Sequence, residues 1–205
     1  MTTLYIHGFG SSGNTSKVKQ LQEILGPDEL VLAPSLSHKP KDDFAMLAKM
    51  MWDHSIANVV GSSLGGFYAL ALTQWFDIRT VLINPSLDPS TTTVRYLGTN
   101  KVFDTEATFE WTGKELQELR ELESITNAAM SPEFSGVTWH RVLLLLAKND
   151  TMLDSAWTAA RMPRARIVFD SEQDHRFGDI SRYADVIREI LSKGFDIGEP
   201  DHFAV

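Results

Sequence analysis

The chain has no cysteine. That excludes disulfides, a thiolate nucleophile and any cysteine-ligated metal, and it leaves the redox compartment unreadable. Positive charge is also scarce: 19 Lys and Arg stand against 27 Asp and Glu, for a net charge of -8 and a pI of about 5.2. A surface of that sign argues against nucleic acid or an anionic membrane as the main partner. No apolar run approaches the ~20 residues of a membrane span. The opening Met1-Thr2-Thr3-Leu4-Tyr5-Ile6 is too short and uncharged for a signal peptide and runs straight into a strand pattern. These absences lead to the expectation of a soluble, cytoplasmic protein. No histidine has metal-ligand spacing with another, so no metal and no cofactor are expected. Internal repeats and low-complexity linkers are missing too. The 205 residues, 43% of them hydrophobic, suffice for one sizeable core and are short for two.

What the chain does have is Gly61-Ser62-Ser63-Leu64-Gly65, a G-x-S-x-G pattern between an apolar β-branched run and the helical stretch Phe67-Tyr68-Ala69-Leu70-Ala71-Leu72. Strand, tight turn, helix is the context of a nucleophile elbow. A serine on so sharp a turn sits in strained backbone, so the positions two before and two after it must lack bulk. Its hydroxyl then stands above the sheet at a helix N-terminus, where N–H groups can face a developing anion.

Strands are predicted at Leu4–His7, Leu30–Ala33, Ala57–Val60, Thr80–Ile83, Val142–Leu146 and Arg166–Phe169. Helices alternate with them. One is capped by Asn14, Thr15 or Ser16 and faces inward with Val18, Leu21 and Leu25, Ile24 beside them. Another starts near Asp42 and buries Phe44, Leu47 and Met51, flanked by Ala48 and Trp52. A short helix holds Ala156 to Arg161. A closing helix from Ile180 to Lys193 turns Ile180, Tyr183, Ala184, Ile187 and Leu191 inward and is capped by Gly194. The last eleven residues are expected as a loosely held tail. Residues 86–138 break the alternation. They hold an acidic helix, Lys114 to Met130, with Leu116, Leu119, Leu122 and Ile125 on one stripe, and are expected as an insertion covering a site.

The pattern predicts an α/β domain spanning 1–205, with a mostly parallel six-stranded sheet in the order 2-1-3-4-5-6 and helices on both faces. Strand order then reverses between the first and third strands, where ligands bind in such sheets. The loop His7-Gly8-Phe9-Gly10 and the Ser63 turn would meet there.

A serine hydroxyl needs a base, and the base an orienting acid. In folds of this kind they follow in the order Ser, Asp or Glu, His. Asp150 follows the fifth predicted strand and His175 the sixth, both opening on the same sheet edge as Ser63. Asp154, which can cap the short helix, and Asp88, after the fourth strand, are rival acids. Asp174 reads as solvated. His7 reads as a structural hydrogen-bond partner, and His38 and His54 fall in or near surface connections. His140 enters its strand from the wrong end, and His202 lies in the tail. Two backbone N–H groups, of Leu64 and Phe9, are the expected oxyanion hole. Phe67, Phe109 and Trp111 are candidates for shaping an acyl pocket.

Gly8-Phe9-Gly10-Ser11-Ser12-Gly13 also spells the dinucleotide fingerprint G-x-G-x-x-G. That motif asks for an acid about 20 residues on, at the end of the second strand. Ala33-Pro34-Ser35 stand there instead, so an NAD(P)-dependent oxidoreductase is the weaker reading.

Taken together, Tyr5-Ile6-His7-Gly8-Phe9, Gly61-Ser62-Ser63-Leu64-Gly65-Gly66-Phe67-Tyr68-Ala69, Ile83-Asn84-Pro85, Asn149-Asp150 with Leu153-Asp154, and Asp174-His175-Arg176-Phe177 resemble the α/β-hydrolase superfamily, and within it the small bacterial YqiA/YcfP esterase-like family. The resemblance runs from about Leu4 to Leu191 and is weakest over 88–139. It implies Ser63 as nucleophile, Asp150 as acid, His175 as base, and hydrolysis of small carboxylic esters. The contrasting expectation is a non-catalytic binding or scaffold protein on the same fold. The sequence leaves the oligomeric state open.

Overall fold

The computed structural model describes residues 1–103, 105–130, 139–193 and 203–204. In chain order it contains β1 (Thr2–Ile6), α1 (Ser16–Leu25), β2 (Leu30–Leu32), α2 (Pro40–Asp53), β3 (Asn58–Ser62), α3 (Leu64–Leu72), β4 (Arg79–Ile83), α4 (Pro89–Thr92), β5 (Gly98–Lys101), β6 (Thr108–Trp111), α5 (Gly113–Ala129), β7 (Val142–Ala147), α6 (Ser155–Arg161), β8 (Arg166–Asp170), α7 (Ala184–Lys193) and β9 (Phe203–Ala204). Seven strands form a parallel sheet in the order β2-β1-β3-β4-β7-β8-β9. The six predicted strands stand in the predicted order. The seventh is a correction: Phe203–Ala204, expected in a loose tail, pairs with Val168 and Phe169 of β8. The expected Gly194 cap, His202 and the rest of the tail lie outside the described residues.

Successive side chains of a strand face opposite ways, and here both faces are apolar. Leu4, Ile6, Val59, Leu82, Leu144 and Leu146 face α2, α3 and α5. Tyr5, Val60, Val81, Ile83, Leu143 and Leu145 face α1 and α7. The run Val142–Ala147 is buried at every position. Each leucine there contributes about 1.5–3 kcal/mol by leaving water.

Two helix faces are turned from the predicted ones. Trp52 is 76% exposed, because α2 buries Pro40, Asp43, Leu47 and Met51, and Trp52 lies off that stripe against Phe76. Ile125 is 47% exposed, and Thr126 is buried in its place after Leu116, Leu119 and Leu122. The predicted closing helix divides into a 3-10 turn, Ser181–Tyr183, and α7. The β5–β6 hairpin was not anticipated. Its tip joins the first loop, where the Phe103 N–H donates to the Gly10 carbonyl at 2.7 Å.

The crossing of β3 and α3 beside β1 demands glycine. A methyl group at Gly65 would sit 2.1 Å from the Ile6 carbonyl oxygen, and one at Gly61 would sit 2.3 Å from that of Gly65. Gly65→Ala is therefore expected to lose about 3 kcal/mol of stability, or to fail to fold. Gly113→Ala, where nothing lies within 4 Å, should unfold within about 0.5 kcal/mol of the parent. Urea denaturation of the two variants checks the contrast.

Candidate active site

The carboxyl ends of β1, β3, β4, β7 and β8 converge on Ser63. This serine is the residue before α3, with φ 54° and ψ -117°. Non-glycine residues rarely adopt that conformation, and such strain concentrates at functional sites. The Ser63 N–H donates to the Ile83 carbonyl at 2.9 Å, which holds the turn against the end of β4. The first loop does meet this turn: a methyl group at Gly8 would lie 3.2 Å from the Ser63 Cβ.

Ser63 Oγ lies 3.2 Å from His175 Nε2, and His175 Nδ1 lies 2.8 Å from Asp150 Oδ2. The Asp150 side chain is 1% exposed and that of His175 is 16% exposed. An ionised carboxylate only accepts, so the imidazole proton sits on Nδ1 and leaves Nε2 free to accept from the serine hydroxyl. Burial pushes the Asp150 carboxyl up, but the His175 imidazole and the Leu153 and Met152 N–H groups outweigh it and hold it below its ordinary value. Asp150 is thus ionised at neutral pH. The loops bearing Asp150 and His175 are tied at their roots, where the Lys148 N–H donates to the Asp170 carbonyl at 2.7 Å and the Asn149 amide to that of Ser171.

Among the described residues no other carboxylate bonds to His175. Asp154 caps α6, accepting from the Trp157 N–H at 2.8 Å. Asp174 accepts from the Arg176 N–H at 2.9 Å. Asp88 precedes α4 and makes no bond to His175. At the end of β2, the dinucleotide reading still meets Ala33-Pro34-Ser35 and no acid.

His7 is fully buried and joins two loops. The Leu36 N–H donates to its Nε2 at 2.9 Å, so its proton is on Nδ1, which donates to the Gly8 carbonyl at 2.8 Å. The Ser11 N–H also donates to that carbonyl, at 3.2 Å. Gly8 and Phe9 share one trans peptide, so holding its oxygen directs the Phe9 N–H the opposite way. Among the described residues, neither the Phe9 N–H nor the Leu64 N–H has an acceptor. Leu64 opens α3, whose first N–H groups have no partner inside the helix.

An aromatic shell backs the first loop. Phe9 stacks on Tyr96 at 4.8 Å and meets Phe109 and Trp111 edge-on at 5.3 and 4.9 Å. Trp111 is fully buried, so it supports the loop instead of lining an open pocket. Phe67, another of the three pocket candidates, turns from α3 wholly into the core. His38 corrects the sequence reading more sharply. It is 6% exposed, at φ 62°, and its ring stacks on Phe109 at 3.7 Å. No sequence signal separated it from a surface histidine, because its ring neighbours, His7, Phe9 and Phe109, come from the loop after β1 and from β6.

Among the described residues no cluster of side chains could hold a metal ion, and no helix is long and apolar enough to cross a membrane. A family model described as "Uncharacterised protein family (UPF0227)" matches residues 2–192. One relative, the UPF0227 protein YcfP of Salmonella paratyphi A, is 31% identical over 200 residues, covering 93% of this chain and 99% of its own. Among solved structures, the chain is similar to Est1E from Butyrivibrio proteoclasticus, with TM-score 0.64, 13% identity, and coverage of 94% of this chain and 88% of that one. It is also similar to the esterase domain of a Rhodothermus marinus protein, with TM-score 0.61, 23% identity, and coverage of 93% and 84%. At these identities the structures establish the α/β-hydrolase fold.

The buried imidazoles carry a pH signature. Burial, then the nearby His7, pushes His38 down to about 4, and burial likewise lowers His7 against its bond to Gly8. As pH falls below about 6.5, the unfolded chain takes up protons that the folded chain refuses. Stability from this source is complete above that pH and declines down to about 4. His38→Asn, which tolerates the left-handed backbone, should lose less stability than wild type between pH 7 and 4.5. Urea midpoints across that range measure the difference, and parallel curves would refute the assignment.

Proposed function

The chain belongs to the UPF0227 family, and on that footing we propose that it is a serine hydrolase cleaving small carboxylic esters or thioesters through an acyl-enzyme. The observation that carries this reading is the unbroken line of hydrogen bonds from Asp150 through His175 to Ser63, at 2.8 and 3.2 Å, ending on a serine in strained backbone. The esterase named among the structural neighbours adds support at the level of fold.

In this mechanism His175 Nε2 takes the hydroxyl proton as Ser63 Oγ attacks the substrate carbonyl. Asp150 holds the tautomer and stabilises the imidazolium. The Phe9 and Leu64 N–H groups receive the oxyanion. Each such donor is worth about 3–4 kcal/mol in the transition state. The imidazolium returns its proton to the departing alcohol or thiol, which leaves an ester on Ser63. Water, deprotonated by His175, then releases the acid and restores the hydroxyl. We read the chain as one hydrolase domain in which the described part of the insertion 86–138 caps the site, the β5–β6 hairpin bracing the oxyanion loop.

A fluorophosphonate probe tests this without a guess at the substrate. One adduct on Ser63, found by peptide mass spectrometry and absent in His175→Ala, is expected. Asp150→Asn should lower turnover of p-nitrophenyl acetate by about 10³–10⁴-fold. Folded wild-type protein that takes no label would overturn the reading.

A further inference from the structure

Ser63, Asp150 and His175 stand on three loops far apart in sequence, and the turn that ends β4 lies between them. It reads Ile83-Asn84-Pro85-Ser86, all buried. On one side it grips the serine. The Ser63 N–H donates to the Ile83 carbonyl at 2.9 Å, and the Ser86 N–H donates to the Ser63 carbonyl at 3.1 Å. Pro85 packs so closely on α3 that a methyl group at Gly66 would lie 2.8 Å from its Cβ.

Asn84 reaches the other way. Its backbone N–H donates to the Leu145 carbonyl at 2.9 Å. Its side-chain Oδ1 accepts from the Ala147 N–H at 2.8 Å, at the root of the loop bearing Asp150. Its Nδ2 donates to the Asp174 and His175 carbonyls, each at 3.1 Å. The residue is 2% exposed, with φ 40°.

The residue type follows from this geometry. One planar carboxamide offers an acceptor at one end and two donors at the other. The Ala147 N–H fixes which end is oxygen. Aspartate would set a third oxygen against two carbonyls. Glutamine is one methylene too long for a group already in contact at both ends. Asparagine also tolerates the left-handed backbone better than most residues.

We propose that Asn84 is a positioning residue: its carboxamide locks the His175 loop to the root of the Asp150 loop, while the flanking backbone locks Ser63 to both. The kinetic consequence rests on the hydrolase reading; the alignment of His175 with Asp150 does not. An error of about 1 Å in such an alignment costs on the order of 10²-fold in rate.

Two variants separate this role from simple stability. Asn84→Gly keeps the backbone conformation and removes the carboxamide. Asn84→Asp keeps the size and the acceptor and turns the donors into an oxygen; being nearly isosteric, it carries the test if the glycine variant does not fold. Val81→Ala, a core truncation in the strand that leads into this turn, is the control for lost stability. The first readout is the downfield proton resonance of His175 Nδ1–H bonded to Asp150, identified by its loss in His175→Ala. The second is the rate of fluorophosphonate labelling. The Asn84 variants should lose or broaden the resonance and label about 10²-fold more slowly. Val81→Ala should keep both. A wild-type resonance in both Asn84 variants, equal loss in Val81→Ala, or no resonance in wild type would overturn the proposal. Wild type that shows the resonance and takes no label would remove the hydrolase reading alone, and the resonance in the variants would still decide the role of Asn84.

Discussion

The strained backbone of Ser63 is the constraint on which the rest of the molecule depends. Left to itself, the conformation at φ 54° costs about 1–3 kcal/mol. It persists because its surroundings leave no alternative. Gly61 and Gly65 allow α3 to start against the backbone of β1. Ile83 and Ser86 hold the peptide groups on either side of the serine. All nine residues of α3 are buried. The helix therefore has no exposed face along which it can shift to relax the turn. The burial of α3 and the strain at its first turn are one arrangement seen twice.

The site's electrical character follows from burial as well. Two imidazoles near the first loop, His7 and His38, are kept neutral by desolvation. The third, His175, faces an ionised carboxylate. Three side chains of one type thus hold different tasks. His7 orients a peptide, His38 fills an aromatic stack, and on the proposed reading His175 moves a proton.

Much of this was legible in the sequence because parallel strands announce themselves. Val142–Ala147 is apolar at every position, and no amphipathic element reads that way. Once the strands are known, topology puts the residues that follow them on one edge, which brings Ser63, Asp150 and His175 together as candidates but leaves Asp154 and Asp88 open beside Asp150. Trp52 and Ile125 were misread because a helix stripe about 100° wide leaves its flanks undecided. The β5–β6 hairpin was missed because Gly98–Lys101 and Thr108–Trp111 are short and mixed in polarity, and their pairing is stabilised by contact with the first loop. In the sequence, Asn84 is only one letter of the short Ile83-Asn84-Pro85 motif. Its three side-chain bonds reach residues 63, 90 and 91 positions away, and local pattern carries no trace of them.

Those separations have a consequence for the order of events during synthesis. Ser63 leaves the ribosome 112 residues before His175. Until β8 adds to the sheet edge, the strained turn has neither the Asn84 bonds complete nor His175 beside it. Contacts of such range form late and slowly, since the chain between them must first be brought together. On the proposed reading, the nucleophile is thus made early and armed last, and a nascent or truncated chain would carry an inert serine.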